Sequence, residues 1–346
     1  MEVTQKELAE LLGVSQMTVS RALNNHPHVE EKVRARILEV ANQKGYSLEA
    51  NHAAEMLRRR GRGEPATTHV ICAMLHLKHD ANDDESFQGR ILKGVGEQAR
   101  EFKWEVVIPI VTRLAIPLVV ARKQVDGAVR MLHQEEADSG HIALPVPWVS
   151  VLFDVPNVDV VTVDNQAGAR LVGRHLADLG HRQIAFIGPD STISHLRLEG
   201  LRQAVRAVGG DLPDSHVCLQ PYAGNEESTI DLVDSLLKKT AFSPSHKPFT
   251  ALAAYNDHMA VAAMRHLRLR GIRVPEDLSL AGFDGATPRG FRGTQVTTAT
   301  IPLEKMGTEA TKLLELRLKE PKRPPQRLVL ETELRPGETT WPLVTK

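Results

Sequence analysis

The stretch KELAELLGVSQMTVSRALNNH, from Lys6 to His26, carries two short helical patterns separated by a glycine. Thr4, followed three residues on by Glu7, has the form of a capping box, in which each side chain satisfies a helix donor that would otherwise be orphaned. Leu8, Leu11 and Leu12 recur at helical spacing and predict one apolar face. Gly13 accepts the backbone angles of a tight turn, and Ser15 is a natural N-cap for a second helix. In that helix Val19, Ala22 and Leu23 fall on one side, whereas Gln16, Met17, Ser20, Arg21 and Asn24 fall elsewhere. Two short helices, a glycine turn and polar residues opening the second make a helix-turn-helix, whose second helix meets base edges in the major groove. The competing reading is a small helical hairpin with a solvated face. Against it, no acidic residue lies between Ser15 and Asn24, which suits a phosphate-rich partner. A third helix from about Glu30 to Lys44, with Val33, Ile37, Val40 and Ala41 inward, completes a three-helix domain with its own core.

The remainder has a different texture. At 346 residues the chain is long enough for two or three domains, and 42% hydrophobic content supports a sizeable core. The formal net charge is zero, which taken alone argues against nucleic acid, but the distribution is uneven. Residues 1–63 hold ten Lys plus Arg against eight Asp plus Glu, so the remaining 33 and 35 give the rest a charge of −2; the excess gathers in LRRRGRG, Leu57 to Gly63. Two cysteines, Cys72 and Cys218, lie in apolar strand-like runs, which rules out a disulfide framework and suits neither metal nor cofactor. The N-terminus lacks the apolar centre of a signal peptide and no run reaches membrane-spanning length, so a soluble, cytoplasmic protein with no membrane partner is expected.

Beyond Tyr46, Asn51 to Arg59 predicts a short helix, and Arg60 to Thr68, rich in Gly, Pro and Thr, a linker. From Val70 onward, HVICAMLHL, WEVVIPIV, VDGAV, WVSVL, VDVVTV, RQIAFIG, FTALAAY and DLSLAGF are short apolar runs of the kind buried parallel strands make. Amphipathic stretches alternate with most of them: RILKGVGEQAREF, QAGARLVGRHLADLG, LRLEGLRQAVRAVGG, STIDLVDSLLKK and HMAVAAMRHLRLRG. Strand and helix in alternation mean a doubly wound α/β architecture, here long enough for two units in tandem.

At this point the sequence resembles the lactose-repressor (LacI/GalR) family of bacterial transcription factors. LAELLGVSQMTVSRALN, VDNQAGARLVGRHLADLGHRQIAFIG, YNDHMAVAAMRHLRLRGIRVPEDLSLAGFD and TTATIPLEKMG carry the likeness, in the family's order and over nearly the whole chain. The resemblance implies an α/β protein with a helix-turn-helix headpiece over 1–48, a hinge helix and linker over 49–66, and a two-lobed core like periplasmic sugar-binding proteins over 67–346. The first lobe is expected over 67–162 plus 294–320 and the second over 163–293 plus 321–346. It also implies a homodimer on double-stranded operator DNA, controlled by a small sugar-like effector in the cleft between lobes, with no cofactor. The sequence departs from the family in three places. Four residues, SLEA, join Tyr46 to Asn51 where two including a proline are usual; the stretch from Thr112 to Gln124 is short for a helix; and Gly285 follows Asp284 where a second Asp is common.

Carried to particular positions, the resemblance puts Gln16, Met17 and Arg21 on bases. Gln pairs bidentately with adenine and Arg with guanine, while Met offers apolar contact or instead packs on the first helix. It puts Thr18, Ser20, Asn24 and His28 on phosphates. Leu57 matches the hinge residue that wedges into the minor groove. In the core, Arg197 in HLRLEGL, Asn256 in YNDHMA and Asp284 in GFDG match effector contacts, the last two just after strands, where such sheets place ligands. Asp154, ending WVSVLFD, is a further candidate, and Phe87 and Tyr222 are candidates for an apolar wall. Ordinary structural roles compete at each position: Asn256 or Asp257 as a helix cap, Asp284 in a turn, Arg197 on a solvated face. His175 and His181 read as a surface residue and a cap. A cytoplasmic ligand-binding protein without DNA regulation is the alternative function; the complete helix-turn-helix speaks against it. An enzyme is not expected, since GxSxG, P-loop, GxGxxG and HExxH patterns are missing from the sequence.

Overall fold

The structure, a computed structural model, describes residues 4–23, 28–44, 46, 67–74, 86–109, 116–132, 143–221, 225–243, 245–286 and 293–343. Asn24, Leu57 and Tyr222, and the hinge helix expected over 51–59, lie outside these residues. Two compact units make up the chain, the first built from residues up to His69 and the second from almost all of the chain beyond Val70.

The first unit follows its local signals closely. Helix α1 (Gln5–Leu12) opens on the capping box: the Thr4 amide donates to Glu7 Oε2 at 2.7 Å and the Glu7 amide to Thr4 Oγ1 at 3.3 Å. Gly13, at φ 65°, closes it in the left-handed region that glycine enters without a Cβ clash. The Thr18 amide donates to Ser15 Oγ at 3.1 Å, so Ser15 caps α2 (Gln16–Leu23). Helix α3 (Glu31–Gln43) lays Ile37 and Ala41 onto Leu8, Ala9, Val19 and Ala22. One expectation fails: Leu11 is 60% exposed. The buried stripe of α1 centres on Leu8, Leu12 and Ala9, and Leu11 falls on its flank because successive helical residues turn by about 100°.

The second unit contains two six-stranded sheets. In the first, β1 (Val70–Met74), β2 (Glu105–Val107), β3 (Gly127–Met131), β4 (Trp148–Val151), β5 (Asp159–Val163) and β11 (Arg327–Leu330) run in the order β11-β5-β4-β3-β1-β2, all parallel. In the second, β6 (Ile184–Pro189), β7 (Val217–Gln220), β8 (Ala251–Ala254), β9 (Ser279–Asp284), β10 (Thr297–Thr300) and β12 (Glu333–Arg335) run in the order β12-β10-β9-β8-β6-β7, parallel except for β12. Helices α4 (Phe87–Glu101) and α10 (Leu303–Lys319) pack against each other and cover one face of the first sheet, with the four-residue α5 (Leu118–Ala121) on the other. Helices α6 (Asn165–Asp178) and α7 (Thr192–Arg206) cover one face of the second sheet, and α8 (Glu226–Thr240) and α9 (Asp257–Leu269) the opposite one.

The two central helix pairs approach until backbone meets backbone. A Cβ on Gly94 of α4 would stand 1.9 Å from the Glu304 carbonyl oxygen, and one on Gly307 of α10 would stand 2.0 Å from that of Ile91. In the second lobe a Cβ on Gly200 of α7 would meet the Gln166 carbonyl oxygen at 2.1 Å.

The expected lobe boundaries need correction at the C-terminal end. Strand β10 belongs to the second sheet, beside β9, and not to the first lobe; β11 belongs to the first sheet, beside β5, and not to the second lobe. The chain therefore passes between lobes near residues 164, 301–302 and 331–332. The cause is sheet membership: β10 carries three threonines and β11 is mostly exposed on its edge, so neither announces which sheet it joins.

Candidate functional site

Arg197 organises the second lobe's end of the cleft. It lies on the inner side of the second turn of α7, a helix capped by Ser191, whose Oγ accepts from the Ser194 amide at 3.2 Å. The side chain is buried, and its guanidinium is held on every side. Nε donates to Asn165 Oδ1 at 3.0 Å, Nη2 to Asp284 Oδ1 at 3.1 Å, and Nη1 to the Tyr255 carbonyl oxygen. Its Cζ lies over the Phe283 ring at 3.6 Å from the centroid and over the Tyr255 ring at 4.6 Å, a cation against two π faces. This excludes the solvated-face role for Arg197.

Each partner comes from the C-terminal end of a strand or from the two residues past it. Asp284 is the last residue of β9, at φ 98°, a strained angle for a side chain other than glycine. Tyr255 follows β8, and Asn165 opens α6 two residues after the end of β5. Asn256 caps α9, its Oδ1 accepting from the Met259 amide at 2.8 Å. Asp257, next in sequence, is 2% exposed, and neither carboxylate oxygen has a hydrogen-bond partner of good geometry. Burial, and secondarily the charge of Asp284, drive its pKa well above the carboxylate range, although the Thr298 hydroxyl and Ala286 amide lie close enough to oppose the rise. A side chain at Gly282 would reach within 2.2 Å of Asp257 Oδ1. Burial likewise raises the Asp284 carboxyl, with Arg197 pulling it back toward ionisation.

The remaining candidates divide. Phe87 opens α4 and packs, half-buried, on the apolar cluster shared by both lobes. Asp154 is exposed and paired with Arg327, whose Nε donates to Oδ1 at 2.8 Å; Arg327 begins β11, a different neighbourhood from that of Arg197. Tyr222 falls outside the described residues. His181, expected as a cap, is buried instead, with Nδ1 2.8 Å from Thr250 Oγ1 and Nε2 3.1 Å from the Trp341 carbonyl oxygen. The sequence reading missed Asn165, Tyr255 and Phe283, which hold Arg197, and Arg90, which reaches Gly285 from the other lobe; only adjacency to the matched motifs could have drawn attention to the first three.

In the N-terminal unit, Gln16, Met17 and Arg21 stand exposed on α2 while Val19, Ala22 and Leu23 of the same helix are buried. Met17 is 61% exposed, which removes the packing role as its alternative. Thr18 and Ser20 are half-buried and His28 is exposed; Thr18 Oγ1 lies 2.8 Å from Ser15 Oγ.

Comparison with known proteins places this architecture. Residues 4–48 match the family described as bacterial regulatory proteins, lacI family, and residues 174–340 match a periplasmic binding protein-like domain. The chain is 31% identical to the HTH-type transcriptional regulator AglR of Rhizobium meliloti over 83% of its own length and 79% of that protein's. The chain belongs to the LacI family. It is also 29% identical to the HTH-type transcriptional regulator DegA of Bacillus subtilis over the full length of both. Among solved structures, a transcriptional regulator CelR–cellobiose complex shares 27% identity with a TM-score of 0.64, covering 98% of this chain and all of that one. A lac repressor dimer bound to operator and an anti-inducer shares the fold, with a TM-score of 0.75 at 22% identity, over 99% of this chain and all of that one. As a LacI-family member the protein is a DNA-binding transcriptional regulator. Its family match spans all three headpiece helices, and the binding-protein-like match spans Arg197, Tyr255 and Asp284.

Proposed function

We propose that the protein is a repressor that binds a palindromic operator as a homodimer in the cytoplasm, and that a sugar-like effector seated against Arg197 and Asp284 sets its grip on DNA. Exposure of Gln16, Met17 and Arg21 over the buried Val19–Ala22–Leu23 face is the observation that carries the DNA half. Gln16 and Arg21 read bases, Met17 gives apolar contact to a thymine methyl, and Thr18, Ser20, Asn24 and His28 hold phosphates. Leu57 wedges into the minor groove at the operator centre. In the core, Arg197, Asn256 and Asp284 supply guanidinium, amide and carboxylate to ligand hydroxyls, the mixture a polyol requires; Phe87 and Tyr222 wall the ring and Asp154 lies further out. Relatives named as transcriptional regulators, one of them solved with cellobiose, support this reading over an enzyme.

The test is selection of random duplex DNA by the purified protein at fixed moderate salt, sequenced after several rounds. A palindrome should emerge, and Gln16→Ala and Arg21→Ala should each relax one position per half-site at a cost of about 1–3 kcal/mol. Enrichment of no sequence, with or without a sugar pool, would sink the proposal.

A further inference from the structure

Arg90 brings a positive charge to the cleft that protein groups leave partly unanswered. It sits in the first turn of α4 in the first lobe, and its Nη1 donates to the Gly285 carbonyl oxygen of the second lobe at 3.4 Å. Gly285 directly follows Asp284, so this guanidinium comes within one residue of the Arg197 site from across the cleft. Its Nε lies 3.6 Å from Glu304 Oε1, but Lys93 Nζ lies 3.5 Å from the same oxygen. Two cations thus share one carboxylate, and the group carries a net charge of about +1. Asp284 does not offset it, being paired with Arg197, and the first turns of α4 and α7 contain no acidic residue. Among the described residues Nη2 of Arg90 is bonded to no acceptor.

A neutral sugar gives such a centre nothing to offset the desolvation of its charge when the cleft closes over it, whereas a carboxylate or phosphate fits the guanidinium fork in two parallel bonds. We propose that the effector is an acidic sugar, carrying a carboxylate or phosphate that Arg90 grips from the first lobe while Arg197 and Asp284 hold its hydroxyls from the second. This rests on the cleft being the effector site, as proposed above.

Calorimetric titration of the full-length protein with glucuronate, galacturonate, glucose 6-phosphate, glucose and galactose tests the idea. The same panel is run on Arg90→Gln and Arg197→Ala, with thermal unfolding recorded to show that each variant is folded. At least one acid should bind at least about tenfold more tightly than its neutral parent, and Arg90→Gln should remove about tenfold to hundredfold of that affinity, the loss of a charge-assisted contact. The glucuronate and glucose 6-phosphate arms then separate carboxylate from phosphate. Neutral sugars that bind as well as their acids, with affinity lost in Arg197→Ala but kept in Arg90→Gln, would overturn the acidic-sugar inference and leave the cleft reading standing. Binding that survives Arg197→Ala, or no binding by any of the five, would overturn both.

Discussion

Asp257 packs against Gly282 of β9, the strand that ends at Asp284, and feels the charge of Asp284. Asp257, driven neutral by burial, binds a proton in the folded protein at pH values where the unfolded chain has lost it. Its contribution to stability is therefore fully present below the unfolded carboxylate pKa and declines as pH rises toward the folded one. Asp257→Asn, the isostere of the neutral acid, should cost no more than about 1 kcal/mol at pH 5 and flatten that decline at higher pH, read by urea unfolding across the range. Arg197→Ala acts oppositely, since it leaves Asp284 buried without its partner. A loss of about 3 kcal/mol or more is expected, with a variant as stable as the parent arguing that Asp284 is already protonated. How much of this was legible follows from chemistry. Asn256 and Asp284 stand out because they fall at strand ends in matched motifs, and Arg197 because it falls in a matched helix motif. Asn165, Tyr255 and Phe283 do not, because a carbonyl oxygen, an amide and an aromatic face acquire their role only when Arg197 is laid across them.

Elements were readable wherever a local signal ended them or a long apolar run filled them. Helices α1 and α2 of the headpiece have caps that the sequence spells out, and eight strands are visible as apolar runs. Strands β7, β10, β11 and β12 and helix α10 are not among the marked runs: TTAT and ELR lack apolar character, VCLQ and RLVL are four residues each, and α10 begins at Leu303, after Pro302, without a side-chain cap. Yet α10 is held against α4 by the closest helix contact in the first lobe. Gly94→Ala or Gly307→Ala forces a methyl into a carbonyl at about 2 Å and should cost about 1–3 kcal/mol by denaturant unfolding, with Gly96→Ala, whose Cβ would meet nothing, as the silent control. The closing segment Gly337–Leu343 shows a different dependence. His181 anchors it through the Trp341 carbonyl, and burial lowers the pKa of His181, His175 and His216 below the usual value of about 6.5. Here the unfolded chain takes up protons first, so stability present above the unfolded pKa is lost as pH falls below it. Urea midpoints should drop between pH 7.5 and 5.5, and less steeply in His181→Gln; an equal slope in the variant would remove His181 as the cause.

The two compact units rest on separate cores, Leu8, Val19 and Ile37 in one and the strands of both sheets in the other. Leu8→Ala should cost about 2–5 kcal/mol within a headpiece too small to absorb it, abolishing DNA binding while effector binding and the main unfolding transition of the core persist. Loss of both activities together would show that the units fold as one. The expected linker, Arg60 to Thr68, rich in Gly, Pro and Thr, ends beside the division at His69; the lobes inside the core are harder to draw from sequence because the chain visits each more than once. That threefold passage, near residues 164, 301–302 and 331–332, bears on how such proteins are recombined. A headpiece is one uninterrupted stretch of gene, and one splice grafts it onto another core. A lobe is two stretches separated along the gene, and a chimera that exchanges one must be cut at every crossing, or it will carry a strand of one parent in the sheet of the other.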